Sequence, residues 1–403
     1  MTRSDELIFN PFVPGFAEDP YPTYHRLRDG DPIQNHPLGF WLVSRYADVT
    51  ALLRAGLSVE DRNLAAGAVF DQYQTLTQDG ATTINMSMLD RDPPDHTRLR
   101  SLVMKVFTVR AVAALEPMVT ELVDRSLDRI ADAGSADLIE ELAFPLPFAV
   151  ISEMLGMPDT DHVRLRELTG TLVRSLEVVT DPEVLAAIAA AELELTALMR
   201  EVIEWKKSHP ADDLLSALIA AEEDGDKLSD DELVAQVLLL YVAGHETTVN
   251  LIGNGTVALL RNPSQHELLR AQPDLAANAV EEFLRYDSPV QQTRRITTAP
   301  YVLGDHEIPA GTFVIAGLGS ANRDERHFGP DAGELRLDRE DARTHVSFGA
   351  GPHHCLGAAL ARLEGRLAIG RLVARFPELA LDGEVTWNGR LNLRGAQQVP
   401  IRV

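Results

Sequence analysis

One cysteine stands among 403 residues, and its surroundings set what it can do. Cys355 lies in Phe348-Gly349-Ala350-Gly351-Pro352-His353-His354-Cys355-Leu356-Gly357, a glycine-rich loop leading into a helical pattern. A lone cysteine forms no intrachain disulfide, so it is either a small buried hydrophobe or a reactive or metal-ligating thiolate. The setting favours the thiolate. A helix starting just past the loop aims free backbone N–H groups and the positive end of its dipole at the sulfur. Axial ligation of a haem iron is one chemistry open to such a thiolate.

A second candidate is Ala243-Gly244-His245-Glu246-Thr247-Thr248, set inside an apolar run. Burying an acid and two hydroxyls costs free energy unless they are paired or used. Gly244 also weakens a helix by about 1 kcal/mol relative to alanine. A polar, loosened turn in a buried helix suggests a site. Glu282 and Arg285 are three apart and can pair on a helix. His96 and Arg100 are four apart on one helical face, able to share an anionic target, although a solvated face has the same spacing.

These side chains need elements to hold them. Residues 9 to 32 are rich in proline and aromatics, with a short helix over 21–28. A strand over 40–43 and a helix over 46–53 follow. The stretch 57–89 has few charges and no clear period, and unstructured loops of that length are commonly functional. Phe70, Tyr73, Met86 and Met88 are candidates to line a cavity there. Helical spacing then dominates, over 98–106, 111–132, 142–155, 163–178, 182–206 and 213–223. The central helix is predicted over 229–261, opened by the capping box Ser229-Asp230-Asp231-Glu232 and stopped by Pro263. Some 30 residues at 1.5 Å each span about 45 Å, enough to cross a domain. Its first half, 233–243, is apolar nearly all round and predicts burial. A helix over 275–286, strand-like pieces over 292–297, 301–303 and 312–316, a charged meander over 322–345 and a last long helix over 356–376 complete the order. The class is mainly α with a minor β part, in one domain spanning 1–403. Its β-rich portions are about 30–60, 290–320 and the carboxyl-terminal tail, and its helical portions about 97–286 and 356–376.

A net charge of −24 argues against a nucleic-acid binder, whose footprint is a basic face. The amino terminus lacks the apolar core of a signal peptide, and no run of roughly 18 apolar residues predicts a membrane span. With a single thiol, these features suit a reducing, cytoplasmic compartment.

Four of these stretches, taken in order, resemble one family. The loop fits F-x-x-G-x-H-x-C-x-G at Phe348, Gly351, His353, Cys355 and Gly357. The central helix carries A-G-x-E-T-T from Ala243 to Thr248, and Glu282 with Arg285 supplies E-x-x-R. Asp95-His96-Thr97-Arg98-Leu99-Arg100 is similar to the family's helix with a haem-propionate histidine and arginine. The chain resembles the bacterial soluble cytochromes P-450, haem-thiolate monooxygenases, from Asp19-Pro20-Tyr21-Pro22 to the carboxyl terminus.

The resemblance implies a triangular helical body with a long central helix and small β-sheets, holding heme b. Cys355 would be the proximal ligand, its thiolate pushing electron density to iron and favouring O–O cleavage. Phe348 would shield it, and Ala243 and Gly357 would lie against the cofactor. His96, Arg100, Arg295 and His353 would hold the propionates, with Arg294 competing for the place of Arg295. Glu246 and Thr247 would deliver protons, although Thr247 can instead bond back to a carbonyl and bend the helix. Glu282 and Arg285 would fix the meander, completed by Arg339 or Arg336, with Leu335 standing where an aromatic is usual. No flavin, nicotinamide or iron–sulfur pattern occurs, so electrons would come from a ferredoxin or flavodoxin with its reductase. Arg98, Lys105, Arg110, Arg362 and Arg366 would form a basic docking face. The 57–89 loop and residues 171–187 would roof the pocket. Met88, Leu89, Leu239, Leu240, Ala243 and Val290 would meet a small apolar substrate of macrolide or polyketide, terpenoid, steroid or fatty type. The expected reaction is hydroxylation or epoxidation with O2 by a monomer. A peroxygenase using hydrogen peroxide and a non-catalytic haem or ligand-binding protein are the alternatives.

Overall fold

In the computed structural model, which describes residues 8–65, 86–158, 162–177, 179, 181–223 and 225–403, the capping box at Ser229 forms. Glu232 N donates to Ser229 Oγ at 3.2 Å, and Ser229 N donates to the Glu232 carboxylate at 2.9 Å. From this cap an α-helix runs unbroken over Asp230–Leu260. It carries so little polarity because it crosses two cores. Val234, Val237, Leu238 and Tyr241 pack with Leu99, Leu155, Met199 and Leu215. Val249, Ile252, Val257 and Leu259 pack with Val123, Ile130, Leu142 and Leu372. A helix buried on every side has no use for a charged face. Close approach also explains Gly255, where a Cβ would meet Ile369 Cδ1 at 2.9 Å and the Phe283 ring at 3.1 Å. The flanking helices are Pro145–Leu155, Pro182–Ser208, Ala276–Tyr286 and Ala358–Arg375.

Two predicted helices divide at prolines, and two others are shorter than expected. The stretch 111–132 becomes Val109–Ala114 and Glu116–Ala133, with Pro117 in the first turn of the second. The stretch 142–155 begins as a π-helical turn, Ile139–Ala143, and becomes α only at Pro145, which lacks the N–H to continue the earlier ladder. The stretch 163–178 is a helix, His162–Leu172, followed by a 3₁₀ turn, Val173–Leu176. Over 213–223, the helix is confined to Leu214–Ala220. Pro263 does more than end the central helix. It opens another, Pro263–Ala271, absent from the sequence-based expectation, because its fixed φ suits a first helical turn.

The β part joins distant stretches. A four-stranded sheet has the order Ile33–Asn35, Trp41–Val43, Phe313–Ala316, Thr293–Ile296, so early and late strands share one sheet. Trp41–Val43 and Phe313–Ala316 run parallel, and the outer pairs are antiparallel. Ser135–Asp137, inside the expected helical portion, is a strand beside Pro400–Arg402. Near the carboxyl terminus Thr386–Trp387 pairs with Ala396–Gln398, leaving residues 388–395 as a hairpin tip. In the 57–89 stretch Ser58 is bridged to Ile296, and Met86 is half-buried; Phe70 and Tyr73, expected as cavity lining, lie outside the described residues, as do Val178 and Thr180 of the expected roof. Among the described residues no helix is long and apolar enough to cross a membrane.

Candidate active site

The cysteine loop is shaped by backbone contacts. Gly351 has φ +73°, and a Cβ there would meet Leu53 O at 2.5 Å, so glycine lets the loop lie on helix Tyr46–Arg54. Cys355 N donates to Phe348 O at 2.8 Å and closes the loop. Helix Ala358–Arg375 begins directly after it. The backbone N–H groups of Gly357 and Ala358 point at the thiol sulfur. Burial raises the thiol pKa; those N–H groups, Arg100 and Arg362 oppose the rise. Cys355 is nonetheless exposed. Protein packs closely around the thiol, yet the residue keeps solvent exposure, as at the floor of a cleft. Phe348 is half-buried beside it, with the Arg362 guanidinium 4.6 Å over its ring.

Next to the loop, potential cations converge. The His96 and His353 rings lie 4.2 Å apart. His96 is 3% exposed, and neither of its ring nitrogens has a hydrogen-bond partner. Arg295 is buried and donates to the neighbouring Arg294 O at 2.6 Å. Arg100 donates to His354 O at 2.7 Å. Burial, then His96, Arg295 and Arg100, drives the His353 pKa down to about 3. Burial lowers Arg295 to about 10, with Asp92 acting against it. Asp92 is itself occupied by Ser58 Oγ at 2.5 Å and Val59 N at 2.9 Å. Buried donors without acceptors and clustered cations both call for an anion. The two propionates of a haem meet that need, and the exposed Cys355 offers a thiolate for its iron, so these residues fit the group. The one-position ambiguity in the strand resolves by its period of two: Arg294 turns to Asp90 at 3.4 Å and Arg295 faces the histidines.

Across the cleft, the central helix does not loosen at Gly244. The helix continues, and hydroxyls bond back to it: Thr247 Oγ1 donates to Ala243 O at 2.9 Å and Thr248 Oγ1 to Gly244 O at 3.2 Å. Ala243 is exposed although the residues around it on the same helix are buried or half-buried, which marks where the helix faces open space. Glu246 is not left unpaired; Arg390 Nη1 donates to its Oε1 at 2.6 Å. Burial raises the Glu246 pKa, Arg390 lowers it, and Glu177 raises it. Sequence reasoning singles out neither Arg390 nor Glu177. The demand for a cation is readable from a buried acid, but nothing local says which arginine answers it. His245 is buried against Phe144 and Phe148, with a ring nitrogen 3.3 Å from Phe144 O, and has a packing role.

Beneath the loop, Arg285 is fully buried. Its Nε and Nη2 reach the Glu282 carboxylate at 2.6 and 2.8 Å. It also donates to Asn322 O, Ala332 O and Glu334 O at 2.9, 2.7 and 2.9 Å. Arg339, not Arg336, completes the group: it is 3% exposed and lies 3.4 Å from Glu282. Arg336 turns its side chain to Asp331 and offers Glu282 only its backbone N–H. Leu335 packs into the main core.

The expected docking face and substrate contacts have these surroundings. The basic docking face is largely neutralised by acids: Arg98 pairs with Glu232 and Asp226, Arg362 with Glu281 and Arg366 with Glu116. Met88 and Leu240, expected as substrate contacts, pack in a core cluster at 6% and 9% exposure, and Met88 N donates to Gln236 at 3.1 Å. Leu89 is exposed and Val290 half-buried, the latter bridged to Leu393.

The cytochrome P-450 family model matches residues 188–387. Cytochrome P-450 107B1 of Saccharopolyspora erythraea is 42% identical, covering 100% of this chain and 99% of that one. The chain belongs to the cytochrome P-450 family. A vitamin D(3) 25-hydroxylase of Pseudonocardia autotrophica is 43% identical over 96% of this P-450 and 94% of the relative. The structure of the Bacillus subtilis bacillaene polyketide synthase cytochrome P-450 PksS aligns with a TM-score of 0.89 at 36% identity, covering 98% of this chain and 99% of that one. As a P-450, the protein is a monooxygenase and an oxidoreductase; its family uses a haem, binds small substrates and O2, and draws on redox partners.

Proposed function

We propose that this P-450 binds heme b with Cys355 as proximal ligand and hydroxylates or epoxidises an apolar small molecule, using electrons from a separate ferredoxin or flavodoxin with its reductase. The observation that carries the cofactor site is the pair of orphaned His96 nitrogens among His353, Arg100 and Arg295, beside an exposed cysteine. When bound there, the haem supplies reductive activation of O2. The chain's own part is to hold and protect the thiolate and to manage protons. Gly357 and Ala358 N–H groups stabilise negative charge on Cys355 Sγ. Phe348 and Arg362 cover one side of the loop. On the opposite side, the Thr247 hydroxyl is anchored on Ala243 O and the Glu246 carboxylate on Arg390, a donor and an acid fixed one residue apart. Such a pair can pass protons through water into the cleft. Relatives named for vitamin D hydroxylation and polyketide biosynthesis support a bulky apolar substrate.

The experiment is haem reconstitution of wild type and Cys355→Ser, followed by the reduced carbon monoxide spectrum. The wild type should give the thiolate-type Soret band and the variant should lose it. A retained band in Cys355→Ser refutes the ligand assignment. Spin-state titration with polyketide, steroid, terpenoid and fatty compounds then identifies the substrate class. Turnover with hydrogen peroxide but not with a redox chain would move the reading to a peroxygenase.

A further inference from the structure

The hairpin tip 388–395 is tied down on three sides. Toward the central helix, Arg390 holds Glu246 at 2.6 Å. Toward the sheet, Gln291 N donates to Asn392 O at 2.8 Å, and Val290 bridges Leu393. Toward the turn after Val173–Leu176, one carboxylate makes the connection. Glu177 accepts the N–H groups of three consecutive residues: Leu391 at 3.0 Å, Asn392 at 2.9 Å and Leu393 at 2.9 Å. Asn392 Nδ2 adds a bond to Leu176 O at 3.1 Å. Successive backbone N–H groups turned to one anion form a nest, and the charge on the acceptor makes these the stronger kind of hydrogen bond. The residue immediately before this nest is Arg390.

We propose that Glu177 is a positioning residue for oxygen activation: it clamps residues 391–393 to the turn after Val173–Leu176 and thereby holds the Arg390 guanidinium against Glu246. This rests on the reading of Glu246 as the acid of the proton relay. A carboxylate held by Arg390 through one oxygen has its orientation fixed while its second oxygen can exchange a proton.

The test uses haem-loaded Glu177→Ala, Glu177→Gln, Arg390→Gln and the double variant Glu177→Ala/Arg390→Gln. Amide hydrogen exchange needs no turnover: the N–H groups of residues 391–393 should exchange at least about tenfold faster in Glu177→Ala. Glu177→Gln, which keeps one carbonyl acceptor and the fold, should fall between it and wild type. With substrate and a redox chain, product formed per O2 should drop several-fold in Glu177→Ala and in Arg390→Gln. The double variant should be no worse than Arg390→Gln alone, since both act through one guanidinium. Unchanged exchange at 391–393, or losses that multiply in the double variant, would overturn the proposal. Should wild type show no O2-dependent product with any redox chain, the functional reading fails, and the exchange rates still decide whether the clamp exists.

Discussion

Replacing Arg285 by methionine tests how the region beneath the cysteine loop is held. Arg285 is 0% exposed, so every bond it makes is lost without water to substitute. Glu282, also 0% exposed, loses its bidentate partner; breaking a buried pair costs about 3–5 kcal/mol. The carbonyls of Asn322, Ala332 and Glu334 lose a donor, at about 1 kcal/mol or more each. The sum, about 6–8 kcal/mol, rivals the whole stability of a typical domain, about 5–15 kcal/mol. Arg339→Met is the internal comparison. There Glu282 keeps both bonds from Arg285, and what is lost is a 3.4 Å ion pair with Glu282, a 3.3 Å pair with the part-exposed Asp331 carboxylate, and donors to Phe328 O and Asp331 O. That predicts about 2–3 kcal/mol. Urea unfolding of the haem-loaded proteins, followed by the Soret band and tryptophan fluorescence, separates the two. Arg285→Met should give little or no folded haem protein, and Arg339→Met a folded protein with a lowered midpoint. Equal losses, or an Arg285→Met protein within about 1 kcal/mol of wild type, would refute the bond-by-bond reasoning.

Thr247→Ala should divert electrons from product to hydrogen peroxide while leaving substrate affinity within about twofold; unchanged coupling with a good substrate would remove the hydroxyl from the relay. Two carboxyls predict opposite pH slopes in stability. Glu281 is pushed up by burial but pulled down to about 2 by His345 and Arg362, so its contribution is present above the usual carboxylate pKa and lost as pH falls toward 2. Because Arg362 is partly exposed and solvent screens it, the loss should be about 2 kcal/mol, and Glu281→Gln should abolish it in acid denaturation curves. Glu364 is fully enclosed and burial raises it to about 8, with Oε2 lacking a partner. Its proton stays on in the fold when the unfolded chain has lost it, so stability falls from pH 4.5 to pH 8, by about 3–5 kcal/mol. Glu364→Gln should flatten that slope in denaturant melts at pH 5 and pH 8; an unchanged slope would place the titration elsewhere.

Local chemistry makes much of this protein legible in the order of its residues. The Ser229 capping box and the apolar run 233–243 announce a buried central helix, because capping and hydrophobic periodicity are properties of neighbouring residues. The cysteine loop is legible for the same reason: Gly351, the sulfur and the following helix start lie within a few positions of one another. Pairs such as Glu282 with Arg285 follow from helical spacing. What tertiary structure alone decided is which distant groups meet. The choice of Arg339 over Arg336 depended on how the meander folds back on Glu282, and that of Arg295 over Arg294 on strand register. Burial of Glu246 announces a need for a cation, but the one that answers it, Arg390, lies 144 positions away. The clamp on the hairpin tip is of the same kind, since Glu177 reaches residues more than 200 positions later. Burial and backbone preference act at short range and are written in the order of residues; an ion pair between two loops depends on the packing of everything between them.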